Sequence, residues 1–328
     1  MQIIIRHLFR DLRNYYVTSF FDLFFQKLVE KFPDHHFDVS NDASYEHNGY
    51  GSIYSCMNFS IINPSNKKYI LISFFDNRKY HFMKHLGWNP SNMVQFFYPG
   101  GFNYLDYFNF RNYEKDNKDI DCPININEIY RSFFYGPYEK NNLQHIKNIY
   151  NNYQILKTQP SLYFRGYMWD FRKNMVKHIK DQSILVIDKN RENNNLSYDN
   201  YLVDLCLYRC ALSLPGGTEV CNRDIECFSV GVPVIRPYLN IEYPDPLIAN
   251  YHYISCYNDC KYWDGNPSYL SYKDFAYNLE DCWSRVKNNY DYLQFISKNA
   301  RNWFLKNCTL ENNVQYLLSQ INMEKLYG

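Results

Sequence analysis

Residues 201–237 read YLVDLCLYRCALSLPGGTEVCNRDIECFSVGVPVIRP, and this stretch decides the fold. The pattern predicts a helix, then a short apolar strand at 210–214 that ends in a Pro-Gly-Gly turn. A second helix is predicted at 221–230, with Gly231 just past its end, and a second apolar strand at 232–235. This order is typical of a βαβ unit in which a glycine turn leads into the N-terminus of a helix.

The glycine turn and the helix after it have the chemistry of an anion-binding site. The first turn of a helix exposes free amide hydrogens and a partial positive charge, and Thr218 or Asn222 is expected to cap it. Gly216 and Gly217 let a ligand approach the backbone closely. Arg223 falls in the first turn, where its charge opposes the helix dipole. An anion shared between Arg223 and the amides removes that conflict, and a diphosphate suits the forked donors of arginine.

Glu226 lies three residues after Arg223 and therefore on the same face of the predicted helix. Two interpretations stay open for this pair. In a nucleotide site, the carboxylate accepts hydrogen bonds from ribose or sugar hydroxyls. In the structural interpretation, the two residues form a surface ion pair worth about 0.2–0.5 kcal/mol.

Composition limits the classes of function. The chain has 328 residues, enough for two domains, with 35 Lys and Arg against 34 Asp and Glu. A net charge so close to zero argues against a nucleic-acid or anionic-membrane partner, despite the 34 Tyr and 24 Phe available for stacking on bases. No apolar run approaches the roughly 20 residues that a membrane-spanning helix needs.

The ten cysteines include no C-x-x-C pair and no His/Cys cluster at zinc spacing. Without a signal peptide, they predict reduced thiols in a cytoplasmic protein. His81 and His85 are four residues apart on a predicted helix, and Asp119 and Asp121 form a D-x-D motif. The first pair lacks the Glu of a zinc-protease motif, and the second follows no buried strand. No metal site is therefore predicted.

The N-terminal half is predicted as one long amphipathic helix within residues 1–32, after a short apolar start, and then as two adjacent strands at 53–62 and 69–75. The second strand is almost continuously apolar and should be central and buried. Asp76 follows it directly, and the carboxyl end of a buried strand is where α/β folds bind ligands. Asp76 is therefore the candidate general base, and a helix-capping role is the alternative.

The C-terminal half alternates strands and helices over residues 161–235, which predicts a doubly wound parallel sheet. Arg165 ends the first of these strands, so it is expected at the same edge of the sheet as the glycine turn. Arg172 falls in the early turns of the next helix and is a further candidate for the nucleotide site. The alternative for Arg165 is a buried ion pair with Asp170 or Asp188.

Three ordered segments resemble known glycosyltransferases. Residues 162–166, LYFRG, together with Arg172, look like the start of the C-terminal domain in the CAP10-like and exostosin-like glycosyltransferases. Residues 212–235 are similar to their donor-binding segment, and residues 296–304 look like the helices that close many two-domain glycosyltransferases. The resemblance implies a GT-B fold, with a nucleotide sugar in the cleft between two Rossmann-like domains and usually no metal.

The resemblance also implies roles for individual residues. Arg165 and Arg223 would hold the diphosphate, and Glu226 would contact the ribose or the sugar of the donor. We therefore predict an α/β protein of two Rossmann-like domains of the GT-B type. A reduced, acceptor-side domain is expected over residues 1–155, and a nucleotide-sugar-binding domain with closing helices over residues 156–328.

The predicted function is metal-independent and cofactor-independent transfer of a sugar from a nucleoside-diphosphate sugar to a hydroxyl acceptor, either a glycan or a glycoprotein. The alternative is a catalytically inactive relative that binds a sugar or a nucleotide. A hydride-transfer enzyme of Rossmann type would be expected to carry G-x-G-x-x-G after its first strand, and the sequence has no such motif.

Overall fold

The structure is a computed structural model that describes twelve segments of the chain: residues 2–7, 15–41, 58–73, 92–99, 129–132, 142–153, 159–168, 170–188, 196–214, 221–239, 243–257 and 272–328. Their helices and strands follow one another in this order: β1 (Gln2–His7), α1 (Tyr15–Lys31), β2 (His36–Asn41), β3 (Asn58–Ile62), β4 (Tyr69–Ser73), β5 (Met93–Pro99), β6 (Ile129–Ser132), α2 (Asn142–Tyr153), β7 (Gln159–Gly166), α3 (Asp170–Val176), β8 (Ile184–Asp188), α4 (Tyr198–Leu207), β9 (Tyr208–Leu212), α5 (Asn222–Val230), β10 (Val234–Pro237), β11 (Ile254–Tyr257), α6 (Tyr272–Val286), α7 (Tyr290–Asn307), α8 (Leu310–Gln320) and a final 3-10 turn (Met323–Leu326).

The chain divides into two compact units, residues 1–140 with 309–328, and residues 141–308. Each unit has its own sheet and its own buried core. The α/β class with two sheets is therefore confirmed, and the GT-B arrangement of two Rossmann-like domains stays a prediction. The segment that carries α8 belongs to the first unit here, whereas the predicted domain limits place it in the second. Among the described helices, none is both long and apolar enough to cross a bilayer.

The sheet of the first unit has the strand order β2-β1-β3-β4-β5-β6. The neighbours β1 and β2, β4 and β5, and β5 and β6 are parallel, while β3 is antiparallel to β1 and to β4. The other five strands therefore all run in one direction. The predicted pair of adjacent strands is confirmed as the β3–β4 hairpin, in which Ile62 pairs with Tyr69. Its turn is closed by a 2.8 Å hydrogen bond from the Lys67 amide to the Asn63 carbonyl.

The core of the first unit joins elements from both ends of the chain. Phe20, Phe24 and Leu28 recur every four residues, so they lie on one face of α1, and all three are buried. Val314 and Leu317 of α8 enter the same core, together with side chains of β1, β3 and β4. Full burial of such a side chain contributes about 1.5–3 kcal/mol, so α8 is part of what stabilises this unit.

The apolar start of the predicted N-terminal helix is a strand. Ile3 and Ile5 are fully buried and alternate along β1, because a strand places every second side chain on the same face. Periodicity alone does not separate helix from strand in so short an apolar run. The pairing of β1 with β2 and β3 decides it.

The sheet of the second unit is parallel throughout, with the order β11-β10-β9-β7-β8. Counted from β7 as the first strand, this is the order 2-1-3-4-5 of a doubly wound sheet, as the sequence predicts for this half. The order reverses between β7 and β9, which are neighbours in the sheet but not along the chain. In open α/β sheets, ligands bind at the carboxyl ends of the strands at such a switch point.

The helix that follows β9 is capped differently from the prediction. α5 ends at Gly231, whose φ of 67° is the left-handed conformation that favours glycine. Its N-terminal cap is Cys221, not Thr218 or Asn222. The Cys221 amide donates a 2.9 Å hydrogen bond to the Asp224 carboxylate. The helix therefore satisfies one of its free amides with its own acidic side chain.

Candidate functional site

The switch point of the second sheet is lined with arginines. Arg165 and Gly166 end β7, and Leu214 follows the end of β9. Arg172 reaches this edge from α3, and Arg223 reaches it from the first turn of α5. Helix α3 follows β7 in the chain, and α5 follows β9. Both arginines therefore come from helices that begin at the carboxyl ends of these strands.

Arg223 is buried against the end of β7, with 8% of its surface exposed. Its Nη2 donates a hydrogen bond to the backbone carbonyl of Arg165, and its guanidinium carbon lies 4.1 Å from the centre of the Phe164 ring. A Cβ atom at Gly166 would collide with Nη2. Glycine at the end of β7 therefore leaves the guanidinium the space it occupies, and a larger residue would displace the flexible end of Arg223.

Much of the hydrogen-bonding capacity of Arg223 is unused. A guanidinium has five N–H donors. Within the described residues, Nη2 has its carbonyl partner, Nε has no hydrogen-bond partner, and no carboxylate forms an ion pair with the group. Burial lowers the pKa of Arg223, but nearby acidic groups, among them Tyr201 and Glu226, raise it by more, so the guanidinium stays charged. An anion at this edge would add a directly bonded counter-charge and further acceptors.

Arg172 joins the ends of the two strands across the switch point. Its Nη1 donates to the carbonyl oxygen of Tyr167 at 2.8 Å, and its Nη2 donates to that of Leu214 at 2.9 Å. Burial, and then the nearby charge of Arg223, lower the pKa of Arg172. Arg172 therefore links the backbone segments that follow β7 and β9. A direct contact between Arg172 and a nucleotide stays a prediction.

The Arg165 side chain lies on the other face of the sheet. Successive side chains of a strand alternate, so Tyr163 and Arg165 face α4, whereas Phe164 faces the opposite core. Arg165 Nη1 is 3.8 Å from the Asp204 carboxylate, which also accepts a hydrogen bond from the Tyr163 hydroxyl. This carboxylate on α4 was not among the partners considered from the sequence. The hydrogen bond that links Arg165 to Arg223 runs through the Arg165 carbonyl.

Glu226 is buried beside Arg223, one turn further along α5. Its Oε2 accepts a 3.2 Å hydrogen bond from the Tyr201 hydroxyl. Burial raises the pKa of Glu226, and the charge of Arg223 opposes that rise. The surface ion pair considered from the sequence is wrong, because both side chains are buried and the described residues contain no ion pair between them. Contact of Glu226 with a ribose or a sugar stays a prediction.

Sequence reasoning missed a buried ion pair between Asp224 on α5 and Arg236 at the end of β10. Arg236 Nη1 donates to the same carboxylate oxygen that accepts the Cys221 amide. The Arg236 guanidinium also lies 5.8 Å from the centre of the Tyr253 ring. An acidic residue at the third helical position is a recognisable capping signal. No local signal pairs it with an arginine on the next strand.

Replacing Glu226 with glutamine is expected to change how stability depends on pH. The raised pKa means that the folded protein holds this proton more tightly than the unfolded chain does, so the group contributes stability at low pH and loses it as pH rises above about 4.3. Glu226→Gln removes this loss. Urea unfolding from about pH 4 upward should show the variant gaining on the wild type as pH rises through the unfolded and then the folded pKa. A difference between Glu226→Gln and the wild type that stays constant across this pH range would contradict the argument.

Several predicted positions lie outside the described residues: Asp76, Gly216, Gly217, Thr218, His81, His85, Asp119 and Asp121. The strand before the first of them, β4, is buried between β3 and β5, as predicted. The role of residue 76 as general base stays a prediction. In the part of the chain that the structure describes, no three His, Cys, Asp or Glu side chains gather as a metal site requires.

Comparison with known proteins yields no family. No protein-family model matches the chain, and no curated protein matches it. Among solved structures, the crystal structure of a glycosyltransferase from Rickettsia africae ESF-5 is similar over 97% of this chain and 96% of that chain, with 12% sequence identity and a TM-score of 0.40. Function is therefore argued below from the side chains at the switch point.

Proposed function

We propose that the protein is a cytoplasmic glycosyltransferase that transfers a sugar from a nucleoside-diphosphate sugar to a hydroxyl of a glycan or glycoprotein, without a metal. The observation that carries the proposal is the buried Arg223 at the switch point of a doubly wound sheet, with an Nε–H donor that no described residue satisfies. A diphosphate is the ligand that this position and this charge suit. The resemblance of the 162–166 and 212–235 segments to glycosyltransferases is what supports a sugar attached to the diphosphate, and its transfer to an acceptor.

The chemistry follows from where charge develops. When the bond between the sugar and the diphosphate breaks, negative charge accumulates on the leaving group. A guanidinium held in place before the reaction stabilises that charge without reorganisation, which is often the largest catalytic term. In this proposal Arg223 makes that contact, Arg172 holds the edge in shape, and Arg165 positions Arg223 through its backbone carbonyl. If the reaction inverts the sugar, Asp76 deprotonates the acceptor; a retaining reaction needs no such base.

Thermal unfolding with UDP-, GDP-, CMP- and dTDP-sugars tests the donor site. A nucleotide at about 100 times its dissociation constant should stabilise the protein by about 2.7 kcal/mol. We expect one of the donors to raise the midpoint and Arg223→Ala to abolish the increase. Arg209→Ala is the matched control, since Arg209 is also a buried arginine on this sheet, bonded to a backbone carbonyl and with an unpaired Nε. Arg209 is the second residue of β9, at the end of the strand away from the switch point, so its loss should leave the nucleotide effect intact.

Gly166→Ala is a second variant that keeps every charge. The added methyl displaces the flexible end of Arg223, so the variant should fold and bind the nucleotide more weakly. A nucleotide effect that survives in both Arg223→Ala and Gly166→Ala would place the donor elsewhere. No effect from any donor on the folded wild type would overturn the proposal. Donor binding without release of nucleoside diphosphate in the presence of hydroxyl acceptors would indicate the catalytically inactive alternative.

A further inference from the structure

A half-exposed tyrosine follows the end of β7 at the switch point, on backbone to which one of the arginines donates a hydrogen bond. Tyr167 follows Gly166, the last residue of β7, and 49% of its surface is exposed. Its chain neighbours Gly166 and Met168 are both buried. A large, half-exposed aromatic side chain therefore lies between two buried positions.

The backbone that carries this ring is held firmly. Arg172 donates to the Tyr167 carbonyl at 2.8 Å, and Arg223 donates to the Arg165 carbonyl two residues earlier. Two of the arginines at this edge therefore fix the segment from which the ring projects. Side chains on a supported backbone recognise ligands with little loss of conformational freedom on binding.

We propose that Tyr167 stacks on the base of a nucleoside diphosphate whose phosphates are bound by Arg223, an inference that rests on the proposed function. A nucleoside diphosphate has one anionic end and one flat aromatic end, and this edge offers a guanidinium with an unsatisfied Nε and, directly after the end of β7, an exposed ring. Tyr238, exposed after the end of β10, is at the same edge but two strand spacings away, about 10 Å along the sheet. Tyr167 is the ring at the switch point itself.

Calorimetric titration with two probes separates the contribution of the base to the binding affinity from that of the phosphates. The probes are inorganic pyrophosphate and the tightest-binding member of a panel of UDP, GDP, ADP and CDP. Loss of one base–aromatic stack should weaken binding of the nucleoside diphosphate in Tyr167→Ala by roughly 5- to 140-fold. Pyrophosphate should bind the variant as it binds the wild type. Tyr167→Phe should bind both probes normally, because it keeps the aromatic face, and so should Tyr277→Ala, which removes an exposed tyrosine from α6.

Each other outcome has a distinct meaning. Wild-type affinity of Tyr167→Ala for the nucleoside diphosphate, with that affinity lost in Arg223→Ala, would overturn the stacking role and leave the proposed function standing. An equal loss for both probes in Tyr167→Ala would also overturn it, because the residue would then be acting on the phosphate contacts. If the wild type binds neither probe, the proposed function fails and the stacking role fails with it.

Discussion

Replacing Arg236 with alanine is expected to lower the free energy of unfolding of the second unit by about 3–5 kcal/mol. Arg236 and Asp224 are 1% and 0% exposed, so their ion pair is shielded from water. The variant leaves the Asp224 carboxylate buried, with the Cys221 amide as the one partner remaining of the two described here. The start of α5 is therefore expected to loosen. Urea unfolding followed by tryptophan fluorescence measures the change, because Trp283 and Trp303 are buried in the second unit.

The cost should come from the unpaired charge and not from the lost side-chain volume. Adding Asp224→Asn to Arg236→Ala removes the charge but keeps an acceptor for the Cys221 amide, so the double variant should be more stable than Arg236→Ala alone. Lys306→Ala breaks the 2.9 Å ion pair with Asp245, which is more exposed, and should cost at most about 1 kcal/mol. A loss below about 1 kcal/mol for Arg236→Ala would show that the carboxylate is not desolvated as the structure indicates.

Leu317→Ala is expected to destabilise the first unit by about 2–5 kcal/mol, although residue 317 lies almost at the other end of the chain from α1. Leu317 is buried among Phe24, Phe59 and Val314, so truncation removes apolar contacts and leaves a cavity. Hydrogen exchange measured by mass spectrometry at increasing urea concentrations reports the stability of each of the two units separately. Faster exchange is expected in peptides from α1, β1, β3 and β4, since they share the core with α8.

Gln315→Ala is the matched control for that experiment. Residue 315 is exposed on the same helix, and alanine has a high helix propensity, so the change should be within about 0.5 kcal/mol. Normal exchange of α1 and the first sheet in Leu317→Ala would contradict the assignment of α8 to this core. Gln95 donates to the Gln320 carbonyl at 3.1 Å and accepts from the Asn322 amide at 2.8 Å, and these contacts of the same terminal segment should also loosen when the core does.

The succession of strands and helices in the second half was predictable, because its signals are local. Each strand from β7 to β11 is a short apolar run, and each helix that separates them shows three- to four-residue periodicity or a recognisable end. Gly231 marked the end of α5 because a left-handed residue is nearly always glycine. The strand at the N-terminus was misassigned, since its six residues are too few for periodicity to decide.

The composition of the candidate site was predictable only in part. Arg165 and Arg223 were expected at one edge of the sheet, because the carboxyl ends of parallel strands share that edge, and the hydrogen bond from Arg223 to the Arg165 carbonyl lies there. What each guanidinium touches did not follow from that rule. Arg172 binds two carbonyls, Arg223 packs on a phenylalanine, and the Arg165 side chain faces an aspartate on α4.

The sequence by itself determined the succession of strands and helices in the second unit, the glycine at which α5 ends, and the presence of arginines close to the carboxyl edge of its sheet. These features depend on interactions between residues a few positions apart, and such local patterns form the same elements in different proteins. Only the tertiary structure decided that Asp224 is neutralised by Arg236, that Gly166 makes room for Arg223, and that the last helix completes the first core. Such contacts join distant parts of the chain, and their partners are selected by packing in three dimensions, which no local pattern encodes.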